Sequence, residues 1–275
     1  MRINNNLTAL NSHRQYGINH AAIAGNVEKL SSGMRVNRAA DDAAGLAISE
    51  KMRAQIRGLN MASKNTQDAI SLVQTAEGGM QTIQDILQRM RELAVQSGSD
   101  TNNADLDRDA LQAEFDQLMK EIDQITETTE FNERALLDGS AEDIIIQAGA
   151  NEGQVMTITI KSMSSDGLGI TGATAKIDGD GSAARTTTLE ALTTAINTVS
   201  MARAELGALQ NRLEFKVQNL NNQAENIAAA ESRIRDADMA QMMTEFTKNN
   251  ILFQSSTAML AQANALPQGV MQLLG

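Results

Sequence analysis

The sequence predicts a mainly α-helical protein in which long, coiled-coil-like helices from both termini pack as a rod, with a small β-hairpin insert. Three observations carry that expectation. Aromatic residues are only 2% of the 275, too few large rings to fill a thick globular core; the chain relies on Ala, Leu, Ile and 15 Met, which suit thin helix–helix seams. Its one proline is Pro267, so no proline interrupts the helices before it. Apolar residues also recur at helical period over most of the chain.

The first stripe runs through Ile3, Leu7, Leu10, Ile18, Ile23, Val27, Leu30 and Met34, with a polar gap at Arg14. Ser31-Ser32-Gly33 and then Asn37-Arg38 predict a break. A second stripe steps by four and three through Met52, Ile56, Leu59, Ser63, Thr66, Ile70 and Val73. It slips by one at Ala76, beside Gly78 and Gly79, and resumes as Met80, Ile83, Leu87, Met90 and Ala94. That is a coiled-coil seam with one local fault. Ser97-Gly98-Ser99-Asp100 ends it, and a shorter helix follows with Leu111, Phe115, Leu118, Ile122 and Ile125 on one face.

Residues 139–187 change character. Gly, Asp, Ser and Thr become frequent, and Ile144–Ile146 and Val155–Ile160 read as strands around an Ala150-Asn151-Glu152-Gly153 hairpin loop. Helical period returns from Leu189 through Leu192, Ile196, Val199, Leu206, Leu213 and Leu220. It continues through Ile234, Met239, Met242, Phe246, Phe253 and Leu260. Stripes at opposite ends of a chain can be buried only against each other or against neighbouring molecules.

Charge separates the same regions. Residues 1–42 carry five basic and three acidic side chains and residues 232–275 three of each, so the ends together are +2 and the middle holds −13 of a net −11. An acidic balance argues against nucleic acid as a partner, because nothing offsets phosphate repulsion. No Cys means no disulfide, thiolate zinc site or thiol nucleophile. No apolar run approaches the ~18 residues of a membrane span, and Met1–Asn6 has no signal-peptide pattern. The chain is therefore expected either to stay in the cytosol or to leave it by a route that does not cut it.

Sites for chemistry are scarce. His13 and His20 lie on roughly one helix face, but no third ligand follows at metal-site spacing. Asp178-Gly179-Asp180-Gly181 starts like a calcium loop, yet Ala183 and Leu189 stand where that loop needs Gly and Glu. There is no phosphate-cradling glycine loop or nucleophile elbow. Neither a cofactor nor an enzyme is expected. Arg89 and Leu93, four apart and off the Leu87–Met90–Ala94 seam, are expected to share an outward face. The Met-rich stripe from Met239 to Leu260 reads first as a packing seam, because Lys and Arg are too scarce there for an anionic-membrane binder.

Several segments carry a resemblance. Ile3–Leu10, Leu30–Ile48 (LSSGMRVNRAADDAAGLAI), Leu87–Gln96, Glu130-Phe131-Asn132, Leu206–Leu213 and Ala258–Asn264 are similar, in order, to segments of bacterial flagellin, the flagellar filament subunit. Met242, Phe253 and Gly275 depart from it, standing where relatives usually have an acidic, a small or polar, and a basic residue. The short central insert resembles the minimal kind of flagellin, without large outer domains.

The resemblance implies a terminal domain of residues 1–42 and 232–275 lining a filament channel. Around it would lie a rod domain, 43–231, with helices 43–97, 104–128 and 188–231 and the β-rich insert 139–187. It implies filament packing by Ile3, Leu7, Leu10, Val27, Leu30, Met239, Met242, Phe246, Phe253 and Leu260. It further implies uncleaved type III export to an extracellular flagellum, ends that fold on polymerisation, and a helical homopolymer used for swimming. The implied partners are other copies of the chain, an export chaperone, a filament cap and hook-associated proteins. Gln88, Arg89, Leu93 and Glu114 match a face that contacts a neighbouring protofilament and is recognised, in monomer, by Toll-like receptor 5. Ala76, Gly78 and Gly79 are candidates for a packing switch. The competing readings are a hook–filament junction protein and a secreted membrane-acting translocator.

Overall fold

The computed structural model describes residues 6–99, 107–141, 143–171, 174, 176–177 and 182–274. Ile3 and the Asp178–Gly181 stretch lie outside the described residues. The chain divides into two compact units, residues 1–56 with 225–275 and residues 57–224. Both divisions fall inside long helices.

In the unit built from the two ends, α1 spans Leu7–Ser32 and α5 spans Met239–Leu274. Asn6 starts α1 by accepting the Ala9 N–H on its side-chain oxygen at 3.1 Å. Gly33, at φ 69°, ends it in the left-handed conformation, with its N–H on the Lys29 carbonyl. Asp238 starts α5, its carboxylate accepting the N–H groups of Ala240 and Gln241. Helix α2, Ala43–Ser97, begins here under Asp42, which accepts the Gly45 N–H at 2.9 Å. A Cβ at Gly45 would collide with that carboxylate, so glycine is what lets the cap approach.

Residues 57–224 hold the rest of α2, helix α3 (Asp107–Thr128), two hairpins and most of α4 (Ser182–Arg235). Hairpin β1–β2 (Glu130–Phe131, Arg134–Ala135) turns on Asn132 and Glu133, both at positive φ. In β3–β4 (Ile144–Gln147, Val155–Ile158), Ile144 pairs with Ile158 and Ile146 with Met156. Those four side chains face the core, while Ile145, Gln147, Val155 and Thr157 face away. One contiguous core joins Met80, Ile83, Leu87 and Met90 of α2 to Phe115 and Ile122 of α3, Ile158 of β4, and Leu192, Val199 and Leu206 of α4. Polar ties set the antiparallel pairing of α2 with α4: Ser63 donates to Asn221 at 3.0 Å and Arg203 to Gln84 at 2.6 Å.

The expected 43–97 helix coincides with α2. The expected 188–231 helix is longer at both ends, Ser182–Arg235. The expected 104–128 helix is described only from Asp107. Expected strands at 144–146 and 155–160 form a hairpin as predicted. The β1–β2 hairpin was not foreseen, because strands of two residues carry no alternation to read. The seam fault at Ala76 does not break α2. Ala76 is fully buried there, and Gly79 lets the chain from Thr129 to Leu137 come close; a Cβ on it would sit 2.8 Å from Leu137 Cδ1 and 2.9 Å from Thr129 Oγ1.

Candidate functional site

Helices α1 and α5 pack antiparallel, and polar pins hold their alignment. At the open end, the Asn6 amide donates to the Ala263 carbonyl at 2.7 Å. That carbonyl is an orphan by chemistry: its helical donor would be residue 267, and Pro267 has no N–H. One side chain therefore caps α1 with its oxygen and fills the gap in α5 with its nitrogen. Midway, buried Asn19 donates to Ser256 Oγ at 2.7 Å. A buried amide in an apolar seam lowers stability and in return favours one register. Beside it, the rings of Tyr16 and Phe253 lie 4.9 Å apart, with His20 6.0 Å from Phe253. His20 thus belongs to an aromatic contact, and no cluster of potential metal ligands exists among the described residues.

At the other end, the α1–α2 loop is tied to the α4–α5 junction. Arg35 N–H donates to the Arg235 carbonyl at 2.7 Å, and Ala237 N–H to Gly33 O at 3.0 Å. Arg235 also pairs with Glu50 at 2.6 Å. Inside the loop, the Asp41 carboxylate accepts the N–H groups of Arg38 and Asn37 and pairs with Lys29 at 3.2 Å. The Arg38 amide first, then Asn37 and Lys29, hold the Asp41 carboxyl below the usual aspartate range.

What this pair leaves uncovered defines the candidate site. Leu7 is 70% exposed and Leu10 63%, and Ile18 and Val27 of α1 are also exposed. On α5, Met242 and Ala263 are buried, whereas Met239, Met243, Ile251, Leu252 and Met259 are exposed. Leu30, Phe246, Phe253 and Leu260 are half-buried. A helix that is apolar on several sides belongs in an interior, and α1 covers only one side of α5. This is the largest run of uncovered apolar side chains on the two terminal helices, the kind of surface suited to contact with protein.

A second surface lies on residues 57–224. Arg89 reaches across to Glu114 on α3 at 2.9 Å and to Glu92 at 3.2 Å. These carboxylates, Glu114 foremost, raise the arginine's affinity for its proton. Gln88 beside it is exposed. Leu93 corrects the expectation: it is 0% exposed and part of the core. The Arg89–Glu114 pair shows why. Helix α3 lies along that flank of α2, so α2 buries a wider stripe than a seam with one partner would need.

No helix is long and apolar enough to cross a membrane among the described residues.

The comparisons with known proteins agree with this architecture. Residues 3–142 match the bacterial flagellin N-terminal helical region, and residues 189–274 match the bacterial flagellin C-terminal helical region. A flagellin of Halalkalibacterium halodurans is 53% identical over 274 residues, covering 100% of both chains. A flagellin of Bacillus subtilis is 51% identical over 303 residues, again covering 100% of both. The crystal structure of Bacillus cereus flagellin, 37% identical, superposes with a TM-score of 0.51 over 61% of this chain and 94% of that one.

Proposed function

The chain belongs to the bacterial flagellin family, and from that premise we propose that it is the structural subunit of an extracellular flagellar filament, polymerising with copies of itself for swimming motility. It is not an enzyme. The observation that carries the reading is the uncovered apolar surface of α1 and α5, led by Leu7 and Leu10. Residues 1–42 and 232–275 line the channel, and their apolar faces are covered by the same faces of neighbouring copies. Because the ends together are only +2, many copies pack side by side without accumulating charge, while the acidic middle faces water. Elongation of filament seeds by the purified chain, followed by electron microscopy, tests this. Failure to elongate contradicts it, and leakage of liposomes without growth would favour a membrane-acting protein instead.

Three finer statements go with it. The two ends order fully only on polymerisation, since isolated helices of this kind are marginal in water. That suits uncleaved type III export in an unfolded state, with a chaperone before export and a cap and hook-associated proteins at assembly. The exposed Gln88, Arg89 and Glu114, underlain by Leu93, form the face that contacts a neighbouring protofilament and that Toll-like receptor 5 recognises in monomer. A receptor reporter assay should lose most of its signal with Arg89→Ala; an unchanged signal removes the claim. Ala76, Gly78 and Gly79 form the packing switch, supported by the tight seat of Thr129 and Leu137 on Gly79.

A further inference from the structure

In a chain with five Phe and one Tyr, Phe215 is 70% exposed on α4. Aromatic residues, phenylalanine included, and arginine are enriched in protein–protein contacts relative to the rest of the surface. Phe215 shares a shallow groove with Arg212, Lys216, Val155 and Gln154, where the outer edge of β4 meets α4. Arg212 and Lys216 stand one helical turn apart. Like charges at that spacing repel, and neither makes an ion pair among the described residues. On a molecule of net charge −11, these are two unpaired cations on the rim of the groove.

The opposite edge of the same hairpin carries a complement. Where β3 meets α2, a groove of about 340 Å³ is lined by Leu72, Phe131, Ile145 and Asp68. The groove is shallow and open, so an aromatic ring would lie against Leu72, Phe131 and Ile145 rather than be enclosed. Asp68 on its rim is exposed and makes no ion pair among the described residues, even with Lys64 one turn before it.

We propose that Phe215, with Arg212 and Lys216, docks into the Leu72–Phe131–Ile145 groove of a second copy of this chain, the cations meeting its Asp68. Donor and acceptor lie on opposite edges of one two-stranded sheet. The contact is therefore head-to-tail rather than two-fold, and a head-to-tail contact that does not close propagates as a helix. The inference rests on the self-assembly reading and assigns to it a contact outside the terminal helices.

The test uses the full-length chain and seeded growth, reading the critical concentration from sedimentation. Phe215→Ala is expected to raise it about tenfold, with an unchanged unfolding midpoint for the free subunit, since the ring is exposed. Lys216→Glu and Asp68→Lys should each raise it, and the two changes mixed in trans or combined in one chain should raise it by less than the two single effects together. An unchanged critical concentration with Phe215→Ala, or charge changes whose effects merely add, overturns the proposal while leaving self-assembly intact. A parent chain that does not elongate seeds overturns both.

Discussion

Leu87 and Leu10 are the same residue in similar helical stripes, yet Leu87 has no exposed surface and Leu10 keeps 63% of its own. Leu87 sits on α2 in the one contiguous core that this helix shares with α3, α4 and the hairpins. Leu10 sits on α1, which has α5 for company, and α5 is itself apolar on sides that α1 does not reach. The hydrophobic contribution is proportional to area removed from water, so residues 57–224 collect most of theirs within one chain, with Phe215, Ile145 and Met201 among the exceptions. The terminal pair collects only part of its own. On the proposal above, what remains uncovered is what neighbouring copies cover.

The sharpest way to break this contrast is to truncate each leucine. Leu87→Ala should destabilise the free subunit by about 3 kcal/mol, the range for a buried Leu that leaves a cavity, as measured by denaturant unfolding. Leu10→Ala should cost the free subunit under ~0.5 kcal/mol and instead raise the critical concentration for seeded growth about tenfold or more. Equal effects of the two on subunit stability would end the distinction.

The adjacent glycines of α2 offer a second contrast, inside the completed unit. Gly79→Ala puts a methyl 2.8 Å from Leu137 Cδ1, and overpacking of this kind costs about 1–3 kcal/mol. Gly78→Ala meets nothing within 4 Å and should stabilise by about 0.5–1 kcal/mol through helix propensity. Thermal unfolding of the two variants checks the opposite signs. A filament waveform unaffected by either substitution would remove this segment as a switch.

At the terminal pair, Asn6→Ala should cost about 1 kcal/mol of local stability, visible as faster amide exchange in the first turns of α1. In a Pro267→Ala background the helix satisfies the Ala263 carbonyl itself, so the part of that loss due to the α5 contact should vanish. Persistence of the full loss would mean that Asn6 acts only as the α1 cap.

The smallest effect concerns pH. The Asp41 carboxyl is held below the usual aspartate range by the Arg38 and Asn37 amides and by Lys29. Its contribution to the α1–α2 loop is therefore complete at neutral pH and is lost as pH falls through that lowered value. Asp41→Asn should remove the acid-dependent part of loop exchange and leave the neutral-pH fold in place.

Much of this was legible in the chain because period and breakers coincide. The seam from Met52 to Ala94 predicts α2, and Ser97-Gly98 marks its end. Alternation at Val155–Ile160 predicts β4 with its inward Met156 and Ile158. What escaped depends on third bodies. Leu93 reads as outward when only one partner helix is counted, but α3, the next helix of the chain, folds back along that flank of α2, as the Arg89–Glu114 pair shows. Gly79 reads as a seam fault, and only the return of Thr129 and Leu137 explains the missing side chain. The Asn6–Ala263 contact needs both ends of the chain in register, which no local pattern specifies. Nor does any stripe tell whether its cover is another helix of the same chain or one of a neighbour; Leu10 and Leu87 look alike until burial is measured.

Amide hydrogen exchange of the free subunit and of seed-grown polymer tests the central claim most directly. The account predicts that α1 and α5 gain protection by at least about a hundredfold on polymerisation, while the core stretch from Leu72 to Ala94 changes little. Equal protection of α1 and α5 in subunit and polymer would contradict it, because their exposed apolar faces would then have found no cover between copies.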